Sequence, residues 1–131
     1  MLQRIDSDNV HIKRICVRDI AKERGVKAEF TADPNDIFED KDINLIVEVI
    51  DDADAAYDIV KRALKNRIPV VSGNKKMLGY HIVELIDLQE QYNTPLLYDA
   101  SACGSIPVIR NLEEYYDNDL LCSVKGILNG A

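Results

Sequence analysis

An α/β fold with a doubly wound parallel sheet is what this sequence predicts, and three observations predict it. Short apolar or β-branched runs alternate with longer stretches of helical periodicity, the pattern of strands joined by helical crossovers. Asn44–Ile50 (NLIVEVI) is a nearly continuous apolar run, as expected of a strand covered on both faces by helices. The stretch from Asp54 to Asn66 places Ala56, Ile59, Val60, Ala63 and Leu64 at i, i+3, i+4, i+7 and i+8, a single apolar stripe.

Taken in order, His11–Val17 (HIKRICV) is β-branched and partly alternating, and is expected to be a strand. Phe30–Asp40 contains Asp33-Pro34, an N-cap followed by a proline at the first helical position, so a short helix should follow. The Asn44–Ile50 strand leads into the Asp54–Asn66 helix, whose last turns carry Lys61, Arg62 and Lys65 where cations suit the helix dipole. Ile68–Val71 is a short strand. Lys76–Gln91 is a helix with Leu78, Ile82, Leu85 and Ile86 on one side. Pro95–Tyr98 is a strand, Ile109–Tyr116 a helix, and Leu121–Leu128 (LCSVKGIL) a last strand.

The 131 residues are the size of one domain, and 47% hydrophobic content suffices for one core. A net charge of −7 argues against a general basic surface for nucleic acid. The acidic clusters at Asp33–Asp42 and Asp51–Asp58 suit solvated loops and helix starts. Cys16, Cys103 and Cys122 form no CxxC or Cys/His metal spacing, and such a scattered, odd count suits a reducing, cytoplasmic setting. Cys16 and Cys122 lie in apolar runs and are expected to act as small core hydrophobes. No apolar stretch reaches membrane-span length and no signal peptide is visible.

Ligands of such sheets bind outside the carboxyl ends of the strands. Arg18-Asp19 ends the first strand. There an acidic side chain can accept from ribose hydroxyls and an arginine can hold a 2′-phosphate, or the two form an ordinary polar loop pair. No GxGxxG phosphate loop occurs anywhere in the sequence. Ser72-Gly73-Asn74-Lys75-Lys76 lies between a strand and a helix. Asn74 can cap the helix, and two lysines at a helix start oppose its dipole, which favours ligand contact over a plain solvated face. Asp99–Pro107 (DASACGSIP) is a small-residue loop that lets carbonyls approach a ligand or cation, or serves as a turn into the next helix. Cys103 has no identifiable base beside it, and His11 and His81 are expected on solvated faces.

Four segments in this order and spacing resemble homoserine dehydrogenase: Asn44–Ile50 (NLIVEVI), Val70–Lys75 (VVSGNK), Asp99–Ile109 (DASACGSIPVI) and Ser123–Gly130 (SVKGILNG). The resemblance implies a Rossmann-like domain lacking the first strand with its Gly-rich loop. It implies reversible hydride transfer between NADP or NAD and the pair aspartate semialdehyde and homoserine, on the route to threonine, methionine and isoleucine. By resemblance, Lys75 lies beside the nicotinamide and the reacting carbon as a catalytic group. Arg18, Asp19, Ile50, Asp51, Ser72 and Asn74 line the cofactor site with it, and Arg18 modestly favours NADP. Asp99, Ala102, Gly104 and Ile106 match a loop that holds a monovalent cation, Na+ or K+, largely through carbonyl oxygens. Asn129 and Gly130 match the edge of the substrate pocket. Asp51-Asp52 departs from the small or hydroxyl residues usual in that turn, and Cys103-Gly104-Ser105 replaces a run richer in glycine.

The resemblance also implies that residues 1–131 are a partial NAD(P)-binding domain, with 123–131 beginning the connection to a substrate domain. A chain truncated at both ends should be inactive alone, while its parent is expected to be an active homo-oligomer with no nucleic-acid or membrane partner. Two other readings fit the residues less fully. One is a different NAD(P)-dependent oxidoreductase; the other is a non-catalytic module binding a partner through its acidic face.

Overall fold

The computed structural model describes residues 10–104 and 106–127. The chain divides into two compact units, Met1–Asn44 and Leu45–Ala131.

In the first unit, β1 (Arg14–Cys16) pairs in parallel with β2 (Glu29–Thr31), with Ile15 opposite Phe30. The sequence predicts β1 but not β2, whose three residues are too few to show a period. Helix α1 (Asn35–Phe38) follows Asp33-Pro34 as expected, and the Asp33 carboxylate accepts from the Asn35 N–H at 2.9 Å. Lys13 binds Asp40 at 2.7 Å and Asp42 at 2.9 Å, which holds the Asp40 carboxyl below its ordinary value. Cys16 is exposed rather than a core hydrophobe, because a two-stranded ribbon leaves its strand-end side chain uncovered.

The second unit is a three-stranded parallel sheet of order β3-β4-β5, formed by Ile46–Glu48, Val70–Ser72 and Leu96–Leu97. Parallel neighbours need crossovers, and helices α2 (Ala53–Lys65) and α3 (Lys75–Tyr92) supply them. Helix α4 (Val108–Tyr115) follows β5. Ala56, Val60, Ala63 and Leu64 of α2 are buried as the stripe predicts, joined by Ala53. On α3 the buried positions are Met77, Leu78, Leu85 and Leu88, so the apolar face is rotated from the predicted one and Ile86 is left exposed. Arg67 and Asn93 take left-handed conformations (φ 59° and 49°) that end α2 and α3.

Two expectations are corrected here. The strand around β3 is not covered on both faces within its unit. Helices α2 and α3 pack on each other against the side that buries Ile46 and Glu48. Alternation then turns Leu45, Val47 and Val49 outward with Leu97. Residues 121–127 form no strand, since no neighbour offers them a ladder, and Cys122 is exposed with them; Leu128 lies outside the described residues. Among the described residues no helix is long and apolar enough to cross a membrane.

Helices α2 and α3 are also joined on their outer side. The Tyr57 hydroxyl donates to Glu84 Oε1 at 2.6 Å, Lys61 reaches Glu84 at 3.0 Å, and the Tyr57 ring stacks on His81 at 4.0 Å between centroids. His81 is therefore half-buried rather than on a solvated face.

Leu64 has no exposed surface, so Leu64→Ala should lower stability by about 2–5 kcal/mol in urea denaturation. The Tyr57 hydroxyl, and then Lys61, hold the Glu84 carboxyl below its ordinary 4.5. A carboxyl depressed on folding contributes stability that is complete above 4.5 and is lost as pH falls through its lower folded value. In thermal melts from pH 4.5 down to that lower value, the wild-type midpoint should drop faster than that of Glu84→Gln; parallel curves there would contradict this.

Candidate functional site

The carboxyl ends of β3 and β4 are locked together by side chains. Glu48, the last residue of β3, is 2% exposed. Its Oε2 accepts from Ser72 Oγ at 2.5 Å and its Oε1 from the Ile50 N–H at 2.5 Å, while its own carbonyl accepts from the Gly73 N–H at 3.0 Å. Ser72 Oγ in turn accepts from the Asn74 N–H at 3.2 Å. Asn74 Nδ2 donates to the Ile50 carbonyl at 2.7 Å, and Asn74 Oδ1 caps α3 by accepting from the Met77 N–H at 2.9 Å. The ring Glu48–Ser72–Asn74–Ile50 thus fixes the first residue of α3, Lys75, at the rim, where it is exposed.

The adjacent strand end brings the small-residue loop to the same rim. Strands β4 and β5 are parallel with Val70 opposite Leu96 and Val71 opposite Leu97, so Lys75 and Asp99 both follow carboxyl ends of neighbouring strands. Asp99–Ser101 form a 3-10 turn, tied by Ser101 Oγ donating to the Tyr98 carbonyl at 2.5 Å. Burial, helped by the Glu113 carboxylate, pushes the Tyr98 hydroxyl above its ordinary value. Cys103 and Gly104 both have φ of 58°, and a left-handed cysteine is uncommon. Cys103 and Ala102 are buried, whereas Gly104 and Ile106 are exposed. Asp99 Oδ1 accepts from the Arg110 N–H at 3.3 Å, which ties the loop to α4.

Asp51 and Asp52 have different fates. Asp52 is the N-cap of α2, with Oδ1 accepting from the Asp54 and Ala55 N–H groups at 3.0 and 2.9 Å. Asp51 is exposed in the same turn. Gly73 is not demanded by protein neighbours, since a Cβ there would lie an ordinary 3.8 Å from Val49 and 4.0 Å from the Glu48 carbonyl. Any need for glycine there comes from what approaches from outside.

In the first unit, Arg18 and Asp19 follow β1 and are exposed. Asp19 Oδ1 accepts from the Ala21 N–H at 2.9 Å, and Arg24 donates to the carbonyls of Asp19 and Lys22. An open hollow of about 480 Å³ lies in this loop, lined by Ile20–Gly25 and Phe30. Among the described residues no cluster of three His, Cys, Asp or Glu side chains could hold a metal. Asn129 and Gly130 lie outside the described residues.

The structure brings Ser72, Asn74 and Ile50 together with Lys75 next in the chain, and adds Glu48, which the sequence reading misses. The signal was available: a lone carboxylate at an inward position of an otherwise apolar strand needs buried partners.

Parallel strands with crossover helices, and polar side chains gathered at the carboxyl ends, define the class of dinucleotide-binding α/β domains. The comparisons narrow this. Residues 1–99 match the family described as homoserine dehydrogenase, NAD binding domain, and the chain belongs to that family. Homoserine dehydrogenase of Helicobacter pylori is 38% identical over 93% of this chain. The homoserine dehydrogenase of Thiobacillus denitrificans superposes on 77% of the chain with a TM-score of 0.71 at 28% identity, and covers it with 24% of its own length. A hyperthermophilic archaeal homoserine dehydrogenase solved in complex with NADPH matches 61% of this chain and 25% of its own, with a TM-score of 0.55 and 26% identity. The chain spans 28% of the Helicobacter pylori relative.

Asn74→Ala removes both the cap on Met77 and the bridge to Ile50, and should cost about 1–2 kcal/mol in urea denaturation. Asn74→Ser keeps a capping oxygen and loses the bridge to Ile50, so hydrogen exchange at the Met77 amide should stay near wild type in it and accelerate in Asn74→Ala.

Proposed function

We propose that this chain is the NAD(P)-binding part of an enzyme that interconverts aspartate semialdehyde and homoserine, with NADP favoured over NAD. The observation that carries it is the shared rim: Lys75 and the Asp99–Gly104 loop follow the carboxyl ends of paired parallel strands. The family match and the NADPH found in the archaeal relative support the same reading.

When bound, the dinucleotide supplies or accepts the hydride. Lys75, held at the start of α3, places an ammonium where it polarises the substrate carbonyl or passes a proton to its oxygen. Ser72, Asn74, Ile50 and Asp51 shape the rim around the cofactor, while Arg18 and Asp19 meet its ribose and 2′-phosphate. Asn129 and Gly130 border the substrate.

Asp99, Ala102, Gly104 and Ile106 would hold a sodium or potassium ion. The fit is chemical: the carbonyls of Asp99 and Ile106 each accept one backbone N–H, at 3.2 and 2.8 Å, and each retains a second lone pair. We place residues 1–131 as one partial cofactor domain, with 123–131 leading toward the substrate domain. The parent works in the cytoplasm as a homo-oligomer on the route to threonine, methionine and isoleucine, and turnover needs the rest of the relatives' length.

Titrating the chain with NADPH and NADH by nicotinamide fluorescence should show tighter binding of NADPH, with Arg18→Ala removing the difference. A chain that bound neither would sink the reading. Adding aspartate semialdehyde should give no NADPH oxidation, and a rate abolished by Lys75→Met would overturn the inactivity.

A further inference from the structure

Glu48 is a carboxylic acid with 2% exposure at the end of β3, inside the apolar run Asn44–Ile50, and the hydride chemistry above does not use it. Burying a carboxylate is costly unless hydrogen bonds compensate, and a Leu or Val there would extend the apolar run at no such cost. Its two oxygens instead reach forward, one to the Ile50 N–H and one to Ser72 Oγ, each at 2.5 Å. Both partners lie at the carboxyl ends of their strands. Through Ser72 the chain of bonds continues to the Asn74 N–H, and Asn74 closes it on the Ile50 carbonyl.

We propose that Glu48 is a positioning residue: its buried carboxylate orients the Ser72 hydroxyl and, through it, Asn74 and the Lys75 start of α3, so that it sets dinucleotide affinity without touching the dinucleotide. This rests on the dinucleotide reading above. The geometry dictates the role of each atom. Ser72 Oγ has one proton and accepts from Asn74, so its proton must go to Glu48. An amide in place of the carboxylate would keep its oxygen on the Ile50 N–H but aim N–H groups at Ser72 Oγ. The hydroxyl proton would then lose its acceptor and turn away, and Ser72 Oγ, now accepting from residue 48 as well, would hold the Asn74 N–H more weakly. An aspartate is one methylene too short to span both partners.

The test compares the 15N-labelled 131-residue chain with Glu48→Gln, Glu48→Asp, Ser72→Ala and the Glu48→Gln/Ser72→Ala double variant. Amide exchange is followed without cofactor, and NADPH is then titrated. In Glu48→Gln, exchange at Asn74 and Met77, whose N–H groups are held by Ser72 Oγ and Asn74 Oδ1, should accelerate about tenfold while the Ile50, Val60 and Leu64 amides keep wild-type protection. NADPH should bind about tenfold more weakly with an unchanged signal at saturation, as expected from losing one hydrogen bond to a charged group. Ser72→Ala should match Glu48→Gln, and the double variant should be no worse than either, because both cut the same link. Glu48→Asp should not rescue. A fall in saturating signal with Kd unchanged would mean that Glu48 merely keeps the chain folded, and additive effects in the double variant would mean that Ser72 does not relay it; either overturns the proposal. A wild-type chain that bound no NADPH would overturn the dinucleotide reading instead, and positioning would then stand or fall on exchange at Asn74 and Met77.

Discussion

The hydrogen-bonded ring that begins at Glu48 is the constraint on which the candidate site depends. Parallel strands end side by side, but their ladder stops where the chains diverge into helices, and the first residues beyond it have no fixed partner. Here the divergence is bridged twice, by Gly73 N–H on the Glu48 carbonyl and by Asn74 on the Ile50 carbonyl. Asn74 is at once the second bridge and the cap of α3. The direction of that helix, and with it the place of Lys75, is therefore set by β3 as well as by the strand that precedes it.

The apolar core explains why this rim is stable enough to be built from polar groups. Ala56, Val60, Ala63 and Leu64 of α2 and Met77 and Leu85 of α3 are almost wholly buried, and small alanines let the two helices approach closely. This core lies on one side of the three strands. Leu45, Val47, Val49 and Leu97 occupy the other side and remain exposed. A parallel sheet is ordinarily covered on both faces, so the second face of this unit carries apolar surface that its own helices do not use.

Much of this was legible in the sequence where one physical signal dominated. The α2 stripe is long and strictly periodic, and its burial followed the period. The Asn74 cap could be anticipated because an asparagine between a strand and a helical run has few other uses. Legibility failed where pairing or neighbours decide. Strand β2 is three residues and exists only because β1 is beside it. The run at 121–127 has strand-like residues but no strand to pair with, so it forms no ladder and is exposed. For Asn44–Ile50, composition predicted burial on both faces, but composition cannot say which helices lie where. Glu48 was passed over because a single acid in an apolar run looks like an interruption; only the positions of Ile50 and Ser72 show what it holds.

The helix N-termini add a last constraint on how a dinucleotide could sit. The free amides of a helix start are a usual seat for phosphate. In α2 two of them are taken by Asp52, whose carboxylate would also repel an anion, and Asp51 stands exposed beside it. In α3 the Met77 amide is taken by Asn74. With no GxGxxG in the sequence, the starts of α2 and α3 offer a pyrophosphate little. What the second unit does offer is a hydrogen-bonded rim at Ile50, Ser72 and Asn74 that ends on the exposed Lys75, whose ammonium, at the start of α3, could offset a ligand's negative charge without displacing a cap.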